Sequence, residues 1–167
     1  MQAFVEAIFI TPEAGADMRP VSEVVAVHGG LEGDRYCLGH GYWSGGDACE
    51  VTIISAEDLD FIQREIGIDM SKGLHRRNLV VRGQKVDRLV GRLFRIGGAV
   101  FVFDCLRPPC AYIRELTGEK GITRALVGKG GIGARVIEGG PIRCGDSLEI
   151  LGRSEFERLR EAGLFGT

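Results

Sequence analysis

Cys110 closes the stretch Asp104-Cys105-Leu106-Arg107-Pro108-Pro109-Cys110-Ala111-Tyr112, and of all the side chains it is the best placed for chemistry. Two adjacent prolines fix φ just before it, so the thiol is displayed in one place. Ala111 to Leu116 has helix-compatible composition. A helix starting there sets Cys110 at its N-terminus, where the dipole favours a thiolate and Arg107 adds positive charge. The plainer alternative is a small buried hydrophobe at a strand end. Arg35, Arg76, Arg77, Arg107 and Arg114 fall on expected loops or strand ends. Guanidinium groups bind phosphate and other oxyanions bidentately. Any one of them alone reads as a solvated charge. Together with the glycine loops and the thiol, they describe a site for an anionic ligand carrying sulfur or metal.

Other constellations are weaker. His75, beside Arg76, is a candidate base for Cys110, against the commoner reading of a solvated loop histidine. Cys37, His40 and Cys49 have neither the spacing of a zinc finger nor a fourth ligand. Cys105 and Cys110 are too far apart for a redox C-x-x-C pair. Cys144, beside a glycine between strands, reads as packing. Gly128 to Gly133 matches G-x-G-x-x-G, but a helix-like segment precedes it and a strand follows. That order is wrong for a dinucleotide crossover, so the segment reads as a turn, with phosphate cradling by its amides the minor alternative.

The elements must present these residues from a single domain of 167 residues. A net charge of −2 gives no reason to expect nucleic acid, which would ask for a clustered basic face and a higher pI. No apolar run reaches the length of a membrane span, and the N-terminus lacks a signal-peptide layout, so a cytoplasmic location is expected. Five irregularly spaced cysteines fit a reduced compartment. Glycine is abundant, 26 residues, often in pairs between apolar runs, which implies many tight turns.

Strands are expected at Phe4 to Ile10, Val21 to Val27, Glu50 to Ile54 and Leu79 to Arg82. A hairpin is expected from Arg92 to Ile96 and Ala99 to Phe103 around Gly97-Gly98, with last strands at Ala134 to Glu138 and Ser147 to Leu151. Ser55, with Asp58 in the capping-box position, starts a helix that places Leu59, Ile62 and Ile66 on one face and stops at Gly67. Shorter helices are expected over Ile122 to Val127 and from Ser154, where Phe156 and Leu159 can pack back. About eight short strands with few helices predict a mainly β fold, a closed or nearly closed barrel, because closure removes open edges. The barrel is expected over residues 1–152, with residues 153–167 a C-terminal helix packed on it.

Several segments, in order, resemble the MOSC domain, the C-terminal domain of molybdenum cofactor sulfurases that also occurs in stand-alone bacterial proteins. They are Gly30-Leu31-Glu32-Gly33-Asp34-Arg35-Tyr36, Val51-Thr52-Ile53-Ile54, and Arg76-Arg77-Asn78-Leu79-Val80-Val81-Arg82-Gly83. Then follow Leu89-Val90-Gly91, Phe94-Arg95-Ile96-Gly97, Arg107-Pro108-Pro109-Cys110, and Gly131 to Gly145 with Asp146. The set spans roughly residues 3 to 151.

The resemblance implies a β-barrel with a pocket for the molybdenum cofactor, a phosphate-bearing pterin dithiolene. Cys110 matches the family's cysteine, either a molybdenum ligand or a carrier of abstracted sulfur. Asp34, Arg35, Arg76 and Asn78 match positions expected near the cofactor, and Arg107 joins them as the cysteine's neighbour. Soft thiolate suits molybdenum and also persulfide chemistry. The pyridoxal-phosphate-binding domain of full-length sulfurases is not in this chain, nor is a ferredoxin-type cysteine set. Two functions follow as expectations. One is reduction of N-hydroxylated small molecules with a separate electron donor. The other is a sulfur carrier fed by a donor protein. A binding module without turnover is a third option. Neither nucleic acid nor membrane is expected as a partner.

Overall fold

The computed structural model describes residues 1–41 and 50–165. Its eleven strands are β1 (Phe4–Ile10), β2 (Arg19–Val21), β3 (Glu23–Val27), β4 (Gly30–Leu31), β5 (Val51–Ser55), β6 (Leu79–Arg82), β7 (Leu93–Ile96), β8 (Ala99–Leu106), β9 (Ile132–Glu138), β10 (Gly140–Arg143) and β11 (Leu148–Ile150). Four short helices accompany them: α1 (Ala56–Ile66), α2 (Ala111–Thr117), α3 (Ile122–Ala125) and α4 (Arg153–Glu161). The fold is mainly β.

Eight strands form one mixed sheet in the order β11-β7-β8-β9-β5-β6-β1-β2, and β10-β3-β4 form a second. The closed barrel expected from the strand count is not present as a continuous ladder among the described residues. Strand β1, the neighbour of the β2 edge, meets the residue just before β11 at an isolated bridge, Phe4 with Ser147. Backbone bonds flank it, from the Val5 N–H to the Asp146 carbonyl and from the Leu148 N–H to the Ala3 carbonyl, both at 2.8 Å.

Strand alternation divides the apolar residues between two cores. On β5, Val51 and Ile53 face the interior of the curved sheet while Ile54 faces the helices. On β6, Leu79 and Val81 face inward and Val80 outward. The central β5 is buried at every position, as a strand covered on both faces must be, and it runs parallel to β6 with Ile53 opposite Leu79. The outer core gathers Phe9, Ile62, Met70, Ile113, Ile122 and Leu126 under α1, α2 and α3. A third, small cluster seats α4, where Leu159 packs on Leu93 and Val100.

Several expectations meet corrections. The capping box at Ser55 does not form: the Ser55 Oγ accepts from the Val86 N–H at 3.0 Å, and Asp58 pairs with Lys85 at 3.2 Å. Of the helix face proposed for α1, Ile62 is buried but Ile66 is exposed. Gly67 does stop α1, with φ of 83°. The strand expected over Val21 to Val27 breaks at Ser22, so β2 pairs with β1 and β3 with β10. Helix α4 begins at Arg153 with Gly152, not Ser154, as its N-cap. Strand β10 begins at Gly140-Pro141, residues that read as a turn.

Candidate functional site

Four loops carry the candidate residues: the Gly33 to Tyr36 turn after β4, the His75 to Asn78 entry to β6, the Arg107 to Cys110 exit from β8, and the glycine turn before β9. Gly33 and Gly131 both turn at positive φ. Gly130 meets a different demand, close approach. A Cβ on Gly130 would lie 2.0 Å from the Arg107 carbonyl oxygen, and one on Gly131 would lie 2.2 Å from the Ile53 carbonyl oxygen. The G-x-G-x-x-G segment is thus accounted for as a turn pressed against the cysteine-bearing loop.

Arg77 ties those loops together. Its Nε donates to the Gly130 carbonyl at 2.7 Å and its Nη2 to the Arg107 carbonyl at 3.4 Å. The Arg107 N–H in turn donates to the Gly131 carbonyl at 3.0 Å. Arg77 therefore acts as a strut for the main chain that leads to Cys110.

Asp34 is fully buried, and its carboxylate accepts from the Thr11 and Tyr36 N–H groups and pairs with the Arg35 Nη1 at 3.1 Å. Its role in this geometry is to fix the turn and aim Arg35. The Arg35 Nη2 donates to the Arg76 carbonyl at 3.2 Å, and its guanidinium lies 4.6 Å from the Tyr36 ring centroid. Arg107 reaches the same tyrosine, donating to its hydroxyl at 3.5 Å.

Arg76 is the unusual residue. It alone among the described non-glycine residues has positive φ, 64°. Strain of this kind costs on the order of 1–3 kcal/mol and collects at functional sites. Burial, and then the Arg35 charge beside it, pull its guanidinium below the ordinary arginine range. Its Nη1 donates to the Ala16 carbonyl at 2.5 Å, and no carboxylate pairs with it among the described residues, although Asp17 is near enough to be felt. Two adjacent guanidinium groups, one unpaired and half-buried, make a local excess of positive charge.

Cys110 is half-buried, at the N-cap of α2 as expected. The first turn of that helix carries Tyr112, which lies within electrostatic reach of Arg76. A Cβ on Gly15, one residue before Ala16, would lie 3.7 Å from the Tyr112 hydroxyl, so the loop that receives Arg76 also lies along α2. The structure thus brings Arg35, Arg76, Arg107, Tyr36 and the start of α2 into one neighbourhood.

The remaining candidates lie elsewhere or serve the frame. Asn78 is fully buried: its Oδ1 accepts from the Thr52 N–H at 3.0 Å and from the Thr52 hydroxyl at 3.1 Å, and its Nδ2 donates to the Phe9 carbonyl at 3.1 Å. It holds β1, β5 and the arginine segment in register. Arg114 projects from α2 into solvent, not from a loop. His75 is not a solvated loop histidine: it is completely buried, its Nδ1 accepts from the Arg77 N–H at 2.9 Å, and its ring meets Phe9 edge-on at 5.3 Å. Burial, then Arg77 and Arg76, depress its pKa to about 3, so it stays neutral.

Of the zinc candidates, Cys49 lies outside the described residues. The His40 Nδ1 is 3.2 Å from Glu13, and burial together with Asp34 pushes the Cys37 thiol up. No metal-holding cluster occurs among the described residues. Cys105 is half-buried and Cys144 exposed, both as free thiols. No helix of the described residues is long and apolar enough to cross a membrane. Sequence reasoning singled out neither Tyr36 nor Met18, whose sulfur accepts from the Arg35 Nη1 at 3.4 Å. The tyrosine sits inside the quoted Asp34-Arg35-Tyr36 motif, while nothing local marks Met18.

Comparison with known proteins agrees with this fold. The structure of YuaD from Bacillus subtilis superposes with a TM-score of 0.75 at 19% identity, covering 90% of this chain and 96% of that one. YiiM from Geobacillus stearothermophilus gives 0.70 at 19% identity, with 90% and 76% covered. YiiM from Escherichia coli gives 0.64 at 21%, with 90% and 70% covered. At these identities the likeness is one of fold. No curated protein matches the sequence. The family model for the MOSC domain matches residues 40–149, about two-thirds of the chain, and the chain belongs to the MOSC domain family.

Proposed function

We propose that this protein binds the molybdenum cofactor at Cys110 and the Arg35–Arg76–Arg107 rim, and reduces N-hydroxylated small molecules with electrons from a separate donor protein. The observation that carries the reading is Arg76: a strained, half-buried cation beside a second cation, with no carboxylate paired to it among the described residues. Such a place favours an anion, and the cofactor's phosphate is one. The donor set also fits the metal, since a half-buried thiol on a proline-stiffened loop is a soft ligand held in a fixed position.

Bound there, the cofactor supplies two-electron redox chemistry at its metal. The chain's own residues bind and orient. Arg35 and Arg76 hold the anionic end, Asp34 aims Arg35, Arg77 fixes the main chain before Cys110, and Asn78 keeps the arginine segment in register. The net reaction converts an N–OH group to N–H with release of water, and consumes two electrons and two protons. Cofactor loading followed by an N-hydroxylated base reduction assay tests the proposal. Wild type should carry molybdenum and turn over, and an absence of molybdenum from wild type refutes it.

The partial exposure of Cys110 also favours a second reading, a carrier whose thiol accepts sulfur as a persulfide. Incubation with a cysteine desulfurase should then add the mass of one sulfur to wild type and nothing to Cys110→Ser.

A further inference from the structure

Away from the arginine rim, α1 and the outward faces of β1 and β6 enclose a cavity of about 530 Å3. Ala7, Phe9, Leu59, Met70 and Val80 supply apolar walls, and His75 is part of the lining. The volume is that of a small-molecule site. We propose that this cavity binds a small uncharged molecule with an apolar body and one hydrogen-bond acceptor, a carbonyl oxygen or ring nitrogen, which accepts from the His75 Nε2–H.

The partner of Nδ1 fixes the tautomer of His75. The His75 Nδ1 accepts from the Arg77 N–H at 2.9 Å, so in the neutral ring the hydrogen sits on Nε2. Nε2 is buried and has no acceptor among the described residues. A buried donor left unmatched is the exception in folded proteins and asks for a partner. That partner must be an acceptor, because the ring is held neutral and Nε2 can only donate.

Charge at the mouth then narrows the ligand class. Glu6 and Asp60 are both engaged by Arg82, at 2.7 and 2.8 Å, and Arg64 pairs with Glu65 at 2.7 Å. Every rim charge named here already has an ion-pair partner, with one carboxylate in excess, so nothing there calls for an anionic ligand. Met70, only 2% exposed, lines the cavity together with His75. Its unbranched, three-rotor side chain is the one that can swing aside to admit an acceptor.

Acetophenone and α-methylstyrene are near-isosteres that differ in a C=O against a C=CH2, and they make the test specific. Binding to the full chain is measured by titration, with the His75 ring nitrogens followed by long-range 1H–15N NMR. Acetophenone should bind about tenfold more tightly, the effect of one hydrogen bond, and shift the Nε2 resonance. His75→Phe should erase the preference. Ala7→Leu, which narrows the cavity, should weaken binding of both probes alike and covers the case in which His75→Phe does not fold. Equal affinities, no binding of either probe, or an ordered water alone on Nε2 overturns the proposal. The readout does not involve Cys110, so a Cys110→Ser chain should behave as wild type here whether or not the cofactor reading holds.

Discussion

The Arg35 Nη2 donates to the backbone carbonyl of Arg76 at 3.2 Å, so one guanidinium fixes the main chain of the residue whose own cation lies beside it. The two like charges are held together by geometry that Asp34, Tyr36 and Ala16 impose from three directions.

If Arg76 serves a ligand rather than the fold, its substitution should separate the two. Arg76→Gly removes the cation and relieves the positive φ, which glycine adopts freely. We expect unfolding free energy within about 1 kcal/mol of wild type, the relief of strain offsetting the lost bond to Ala16. Cofactor retention should be lost. A large destabilisation in urea titration would mean that the arginine is there for the frame.

Gly130 makes the opposite prediction. Gly130→Ala forces a Cβ to within 2.0 Å of the Arg107 carbonyl oxygen, a backbone atom that cannot swing aside as a side chain would. A cost of about 3 kcal/mol is expected from overpacking of this kind, with disturbance of the Arg107 to Cys110 loop. Chemical denaturation, together with the rate of Cys110 alkylation, reports both effects.

How much of this was legible in the sequence differs by residue. Gly97-Gly98 marked its hairpin because alternating apolar runs flank a two-residue turn, and β7 and β8 pair around it with Ile96 opposite Ala99. Cys110 could be placed at a helix start because the two prolines punctuate the chain there. Strands β2 and β10 escaped notice because Pro20 and Gly140-Pro141 carry turn chemistry, and only partners distant in sequence make them strands. Asn78 looks like a site residue in its motif. Its side chain is instead engaged with Thr52 and Phe9, 26 and 69 residues away, contacts that no local pattern encodes. Likewise, the burial of His75 depends on Phe9 and on the helices packed over it.

The Asn78 network should be costly to break. Asn78→Ala leaves the Thr52 N–H and the Phe9 carbonyl without their buried partner, and a loss of about 2–4 kcal/mol is expected. Thermal and urea unfolding measure it. A loss under about 0.5 kcal/mol, the range of an ordinary surface change, would contradict the framework role.

His75 gives the fold an acid sensitivity with a defined sign. Its folded pKa, about 3, lies below the ordinary value of 6.5, so between those two the unfolded chain binds a proton that the folded chain refuses. Stability from this group is complete above about pH 6.5 and falls as the pH drops toward 3, by up to about 1.4 kcal/mol per pH unit. Urea unfolding of wild type and His75→Phe at pH 7, 6 and 5 should show a steeper decline for wild type. Parallel declines would place a protonatable His75 in the folded state.

The most direct measurement is elemental analysis of wild type beside Cys110→Ser and Arg76→Gly, each produced in cells that make the molybdenum cofactor. The account predicts stoichiometric molybdenum in wild type and little in either variant. Molybdenum absent from wild type, or retained equally by all three chains, would contradict it.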